Sequence, residues 1–527
     1  MNGASFTQGD LVTYPPQPGA PAPGQPPYQQ QPYPQAPYQQ APYQQQQPYP
    51  VQQFPPYGVP GQQPPPPPRR GGAGRTLACL GVSLVVLLGV AVGGVVVLRA
   101  VRQPPKMDAL KSDTEPWQKL TKGLTDALAA KDEEAFVKPF AAGATKEKQR
   151  KVFRNLVKIP WATARWESSL VIDGRLTVDF VHQVKGVDNY PISERYEWRV
   201  LGPDTKATGA GPETAVPEGA EVVTEVGGPT DNRGKTMSDG YYPSPWDAYD
   251  ELSVQVRDHL VVMSDKGQEA ELNRDADVLA RAAKDDLDAW QKCAPAPTGK
   301  TKGAEGFFVV LEKNRDVYNK LYQGDGKPDD SLEAGVNMSV WASSSAQPDP
   351  GRPVIGGSRI VIDTTDGRFT GKQWQEGVTN IGRHEMAHAT VATLVSSDGT
   401  YAPTDRRQDW VAEGFGEYMA LRGKDDRARE DLAVVKQVSF DGKLPGDGED
   451  FYSFDAARRS ANYALAGDAL RYMASKYGDA KVCGFVAAQY TRPKEYEQQI
   501  AAATGQPLDQ FQSAWAAHVR ATASVRR

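Results

Sequence analysis

Thr379-Asn-Ile-Gly-Arg-His-Glu-Met-Ala-His-Ala-Thr390 is the stretch on which the reading of this chain turns. It holds two of the five histidines, His384 and His388, with Glu385 directly after the first. On an α-helix, residues i and i+4 lie one turn apart on the same face. Two imidazoles so placed converge on one metal ion, and Glu385 lies close enough to that face to reach a water beside it. The plainer alternative is an amphipathic helix with two solvated or core histidines.

A closed structural zinc is usually held by four protein ligands, whereas a catalytic one takes three and leaves a position for water. A third ligand is therefore needed. The segment Trp410-Val-Ala-Glu-Gly-Phe-Gly-Glu-Tyr-Met-Ala-Leu421 reads as a second helix with Gly423 as its stop. Here the chain resembles the gluzincin (thermolysin-like) zinc metallopeptidases. Their third ligand is a Glu in a Trp-x-x-Glu-Gly-x-x-Glu-Tyr-like helix, matched by Trp410, Glu413, Gly414, Glu417 and Tyr418. The resemblance implies that His384, His388 and Glu413 hold one Zn2+ per chain. It implies too that Glu417 holds His384 by its other ring nitrogen. Without a cation, Glu413 and Glu417 are an i,i+4 pair of solvated acids that repel slightly.

Before these helices, the spacing predicts strands at His259–Met263, Gly306–Leu311 and Arg359–Asp363, and a helix over Glu269–Trp290. This order resembles the sheet of gluzincins, in which an edge strand aligns the peptide substrate by strand addition. Ser358–Asp363 is either that edge strand or a core strand. Beyond Leu421, residues 424–458 are polar and irregular. Ser460–Gly478 reads as a helix with a Gly cap, and 480–522 as two more. Tyr463 in the first of these is the candidate oxyanion donor, as some relatives use a Tyr or His there; its alternative is a packing tyrosine.

The 527 residues exceed one domain. Residues 1–75 form a Pro/Gln/Tyr-rich tail with no aliphatic period, expected to be disordered. It is a solvated tail, a docking arm for an aromatic-lined groove of cytoplasmic partners, or a self-associating segment of Tyr and Gln. Residues 76–98 are 23 residues without a charge, long enough for a transmembrane helix. Arginines and lysines flank both ends, so charge does not set the orientation. The arrangement resembles single-pass membrane proteins of actinobacterial type, which implies a tail inside the cell membrane and an extracellular catalytic domain.

After a short linker (103–115), apolar residues from Trp117 to Ala141 fall at helical spacing, broken at Lys131-Asp132. Strand-like runs follow at 168–172, 175–182 and 194–201. Residues 107–201 weakly resemble the cone-like, nuclear-transport-factor-like α+β fold. His182 in this region reads as a surface or satisfied core histidine. Residues 202–245 read as a connector, and 246–522 as the metallopeptidase-like domain. The fold class expected is α+β, with a mixed sheet followed by a helical zinc-binding subdomain.

Cys293 and Cys483 either form one disulfide or stay as buried thiols, and three scattered cysteines rule out a Cys-based zinc site. A net charge of −5 without a basic stripe gives no sign of nucleic acid binding. His259 reads as structural and His518 as solvated. The resemblance implies peptide-bond hydrolysis by a zinc-activated water, with Glu385 as general base, on a peptide or protein substrate. Gly-x-Met-Glu-Asn, which gluzincin aminopeptidases use to hold a free amino terminus, is absent; Gly335-Val-Asn-Met is the nearest approach. An endopeptidase, or a peptidase of unassigned type, is therefore expected. A reading of another class is a cell-surface binding or scaffold protein with a structural or inactive zinc site.

Overall fold

The computed structural model describes residues 107–172, 174–201, 222–228, 243–295, 303–321, 334–347, 353–395 and 407–523. The expected tail (1–75) and transmembrane helix (76–98) lie outside them. Among the described residues, no helix is long and apolar enough to cross a membrane.

The fold is α+β with two sheets. Helix α1 (Met107–Ala130) starts ten residues before the expected Trp117 and runs through Pro116. It breaks where expected: Lys131 takes a positive φ, and the Asp132 side chain caps α2 (Glu133–Val137) by accepting from Ala135 N. Helix α3 (Ala144–Leu156), unmarked in the sequence reading, follows. Strands β1 (Trp161–Ile172), β2 (Arg175–Val184), β3 (Ile192–Leu201) and β4 (Val222–Gly227) make an antiparallel sheet in that order. The expected connector thus supplies a fourth strand: Val222, Val223 and Val226 pair across from Leu201, Val200 and Trp198.

The second sheet is mixed, in the order β5 (Leu252–Arg257), β6 (Leu260–Asp265), β7 (Phe307–Glu312), β9 (Ile355–Asp363) and β8 (Gly335–Trp341). The three inner strands are parallel, and β7 is apolar from Phe307 to Leu311, as a strand buried on both faces must be. Val261, Met263, Phe308, Val310 and Val361 face the first sheet and α1–α3, sharing one core with them. Val262, Val309, Leu311, Ile360 and Ile362 face the other way, onto helices α4 (Glu269–Cys293) and α5 (Trp374–Ala392). His259 sits at the β5–β6 turn with φ 62°, its Nδ1 2.7 Å from the Glu305 carbonyl.

Polar locks tie the two sheets together. Arg359 donates to both oxygens of Asp188, at 2.7 and 3.1 Å, with both side chains fully buried. Asn155 donates to the carbonyls of Trp246 and Tyr249 and accepts from Leu252 N. Tyr249 donates to Glu312.

A helical bundle completes the chain: α6 (Asp409–Ala420), α7 (Asp425–Leu432), α8 (Ala456–Tyr477), α9 (Asp479–Thr491), α10 (Tyr496–Thr504) and α11 (Leu508–Thr522). Three helices follow residue 478 rather than the expected two, because Pro493 and the positive-φ Gly505 each end one. Phe511 and Trp515 anchor the last, and Trp515 donates to Asp468. His518 is only partly exposed, 5.1 Å from the Tyr472 ring and 3.6 Å from Asp468, not freely solvated. Cys293 and Cys483 are joined as a disulfide, with Cα atoms 5.7 Å apart, pinning α4 to α9.

Candidate metal centre

Helix α5 is buried on two sides. Val378, Ile381, Met386 and Ala389 pack beneath the sheet, while Ala387 and Val391 pack into the helical bundle. Its remaining face carries His384 and His388, whose rings lie 4.9 Å apart. Arg383, between the buried positions, is held by Asp286 of α4 at 2.8 Å.

Helix α6 crosses this face. Trp410, Val411, Phe415, Tyr418 and Met419 bury it in the bundle, leaving Glu413 and Glu417 toward the histidines. The approach is close because position 416 has no side chain: a Cβ on Gly416 would lie 2.6–2.8 Å from three atoms of the His384 ring.

His384 Nε2 lies 3.2 Å from Glu413 Oε2, and His388 Nε2 lies 3.5 Å from the same oxygen. One ligand atom from each residue falls within a 4.8 Å cluster. Donors about 2.1 Å from one ion at tetrahedral angles lie roughly 3.4 Å apart, so this donor set fits zinc. His384 Nδ1 faces Glu417 Oε1 at 3.2 Å. The sequence-derived ligands and the supporting carboxylate are therefore together.

Without a metal, the charges of the site lean on one another. Burial would lower the His384 pKa, but Glu413 and Glu417 raise it well above the ordinary value. Burial would raise Glu413, yet His388 and His384 hold it well below the usual carboxylate range. Burial pushes Glu385 up, against the pull of the two histidines.

Glu385 is buried beneath the start of β8. A Cβ on Gly335 would fall 2.8 Å from its carboxylate. The strand bordering the site is thus β8, not Ser358–Asp363. That segment lies inside the sheet, with β7 on one side and β8 on the other.

Tyr463 lies beside the site, its ring 6.1 Å from that of His384 and 5.1 Å from Phe451. A second tyrosine, which no sequence pattern marks, holds one of the candidate ligands: Tyr452 donates to Glu413 Oε1 at 2.8 Å. It comes from the polar stretch before α8, in the run Phe451-Tyr452-Ser453-Phe454.

His182 lies elsewhere, fully buried, 3.2 Å from Glu194. Burial lowers its pKa to about 3 and raises that of Glu194 to about 8. The two are a neutral core pair rather than metal ligands. No protein-family model matches this chain, and no curated protein matches it.

Proposed function

We propose that the protein is a zinc-dependent peptidase of gluzincin-like organisation, anchored to the cell membrane through residues 76–98 with its catalytic part outside. The observation carrying this reading is the meeting of His384 Nε2, His388 Nε2 and Glu413 Oε2 beside the buried Glu385 carboxylate. The Cys293–Cys483 disulfide suits an oxidising compartment. The four-stranded module ahead of the sheet is read as the cone-like domain.

His384, His388 and Glu413 would hold the ion, which when bound polarises the scissile carbonyl and acidifies water. Glu417 orients His384, and Tyr452 engages the Glu413 oxygen that faces away from the histidines. Glu385, raised by burial, takes a proton from the attacking water and passes it to the leaving amine. Tyr463 serves as donor to the oxyanion. An extended peptide adds to the outer edge of β8, over Glu385.

The test is metal analysis of the purified protein together with digestion of an unbiased peptide library. One zinc per chain, chelator-sensitive cleavage, and loss of cleavage with retention of zinc in Glu385→Gln are expected. Zinc retained with no cleavage by either form would favour a scaffold.

A further inference from the structure

We infer that the N-terminal module is a length stop on the substrate path, so that the enzyme cuts peptides close to their amino terminus. This rests on the peptidase reading and narrows the expected endopeptidase.

Strand β8 is seven residues long and outermost in its sheet. Its first residue, Gly335, lies against Glu385. Its inner side pairs with β9 throughout. Among the described residues, no strand pairs with its outer side from Gly335 to Val340.

Just past its far end the edge closes. Ala342 N donates inward to the Val354 carbonyl at 2.9 Å, while Ser343 N donates outward to the Pro191 carbonyl at 2.7 Å. Ile192, the first residue of β3, forms an antiparallel bridge with Ala342. This barrier is firmly held. Ile192 is fully buried. Asn189 N and Tyr190 N both donate to the Gly356 carbonyl, and Asp188 is gripped by Arg359. Trp341, 40% exposed, marks the end of the open edge.

An antiparallel ladder is the more stable pairing. Because β8 runs away from Glu385, an antiparallel peptide runs toward it. The residues before the scissile bond then lie along Gly335–Val340, one opposite each. That is six positions, about 20 Å of extended chain. A seventh would need backbone groups that Pro191 and Ile192 already occupy. The substrate class is unfolded peptide with no more than about six residues ahead of the cleaved bond, and the products are short amino-terminal fragments.

The test uses the full chain and a peptide cleaved in the library digest, extended stepwise to twelve residues before or after its scissile bond. Cleavage should hold up to six residues on the amino-terminal side and fall at least tenfold beyond, while carboxy-terminal extension has no such effect. Equal cleavage at twelve, or a limit only on the carboxy-terminal side, would overturn the stop and leave the peptidase reading intact. No cleavage of any peptide would remove both. As a second readout, Glu385→Gln is photolysed with a peptide carrying benzophenone six residues before the bond. Cross-links to Trp341–Ser343 or Pro191–Ile192 are expected, and their absence counts against the path.

Discussion

His384 Nδ1 and Glu417 Oε1 face each other at 3.2 Å, on the side of the ring away from Glu413. A carboxylate there fixes the tautomer that leaves Nε2 free for a metal and makes that nitrogen more basic. Glu417→Gln should therefore weaken zinc binding by roughly 10- to 100-fold, measured by competition with a chromogenic chelator. Unchanged affinity would reduce the contact to an ordinary surface pair.

Tyr452 and Tyr463 should separate in their effects. Tyr452 holds the Glu413 carboxylate, so Tyr452→Phe should lower zinc affinity. Tyr463 touches the site through its ring position, so Tyr463→Phe should leave zinc bound and lower kcat by roughly 10- to 1,000-fold. If the two variants behave alike in both assays, the assignment of roles fails.

Asp286 and Arg383 pin the helix that carries His384 and His388 to α4 from within the core. Burial raises Asp286 to about 7 even against the pull of Arg383. Asp286→Ala leaves a buried guanidinium unpaired, a loss of about 3–5 kcal/mol. Chemical denaturation should show it at pH 8, where the pair is charged. A change under about 1 kcal/mol would mean that Arg383 finds water.

Glu194 gives the protein an alkaline weakness. Its pKa is raised from 4.5 to about 8, so its contribution is fully present below about 4.5 and is lost as pH rises through 8. Among the groups around it, Arg359 and Asp188 form a fixed pair, and His182, lowered to about 3, matters only as pH falls below 6.5. Asp247, raised to about 7, shares the trend but is largely finished by pH 7.5. Between pH 7.5 and 8.5 the group is on average half-ionised, so the parent should lose about 0.7 kcal/mol of stability, and Glu194→Gln should not. Parallel melting curves over that interval would refute this.

What could be read from the residues alone follows the range of the interactions. His384 and His388 are one turn apart, so their shared face is written locally. Glu413 needed the pattern of a second helix, but that helix is strongly apolar on one side and was easily found. Tyr452 was not, since it lies in a polar stretch without a period and meets Glu413 only through the fold. Strand β8, Gly-Val-Asn-Met-Ser-Val-Trp, does alternate apolar and polar from Val336 to Val340, but five residues ahead of a serine-rich run make a short signal, and β9 pairing completes the strand. The start of β9, Ile355-Gly356-Gly357, has too few side chains to show a strand period. At Gly357 the missing side chain makes room for a neighbour, since a Cβ would fall 2.1 Å from Asp188 Oδ1. Val222–Gly227 is a short strand set in a Gly- and Pro-rich stretch, and its pairing with β3 makes it one.

The burial of both faces of the five-stranded sheet limits how the molecule can be trimmed. A fragment begun at Trp246 would set Val261, Met263, Phe308, Val310 and Val361 in water and leave the Arg359 guanidinium without Asp188. Such a truncation would clump or be degraded rather than report on the histidines. Recombinant work on this site has to retain the chain from Met107 onward.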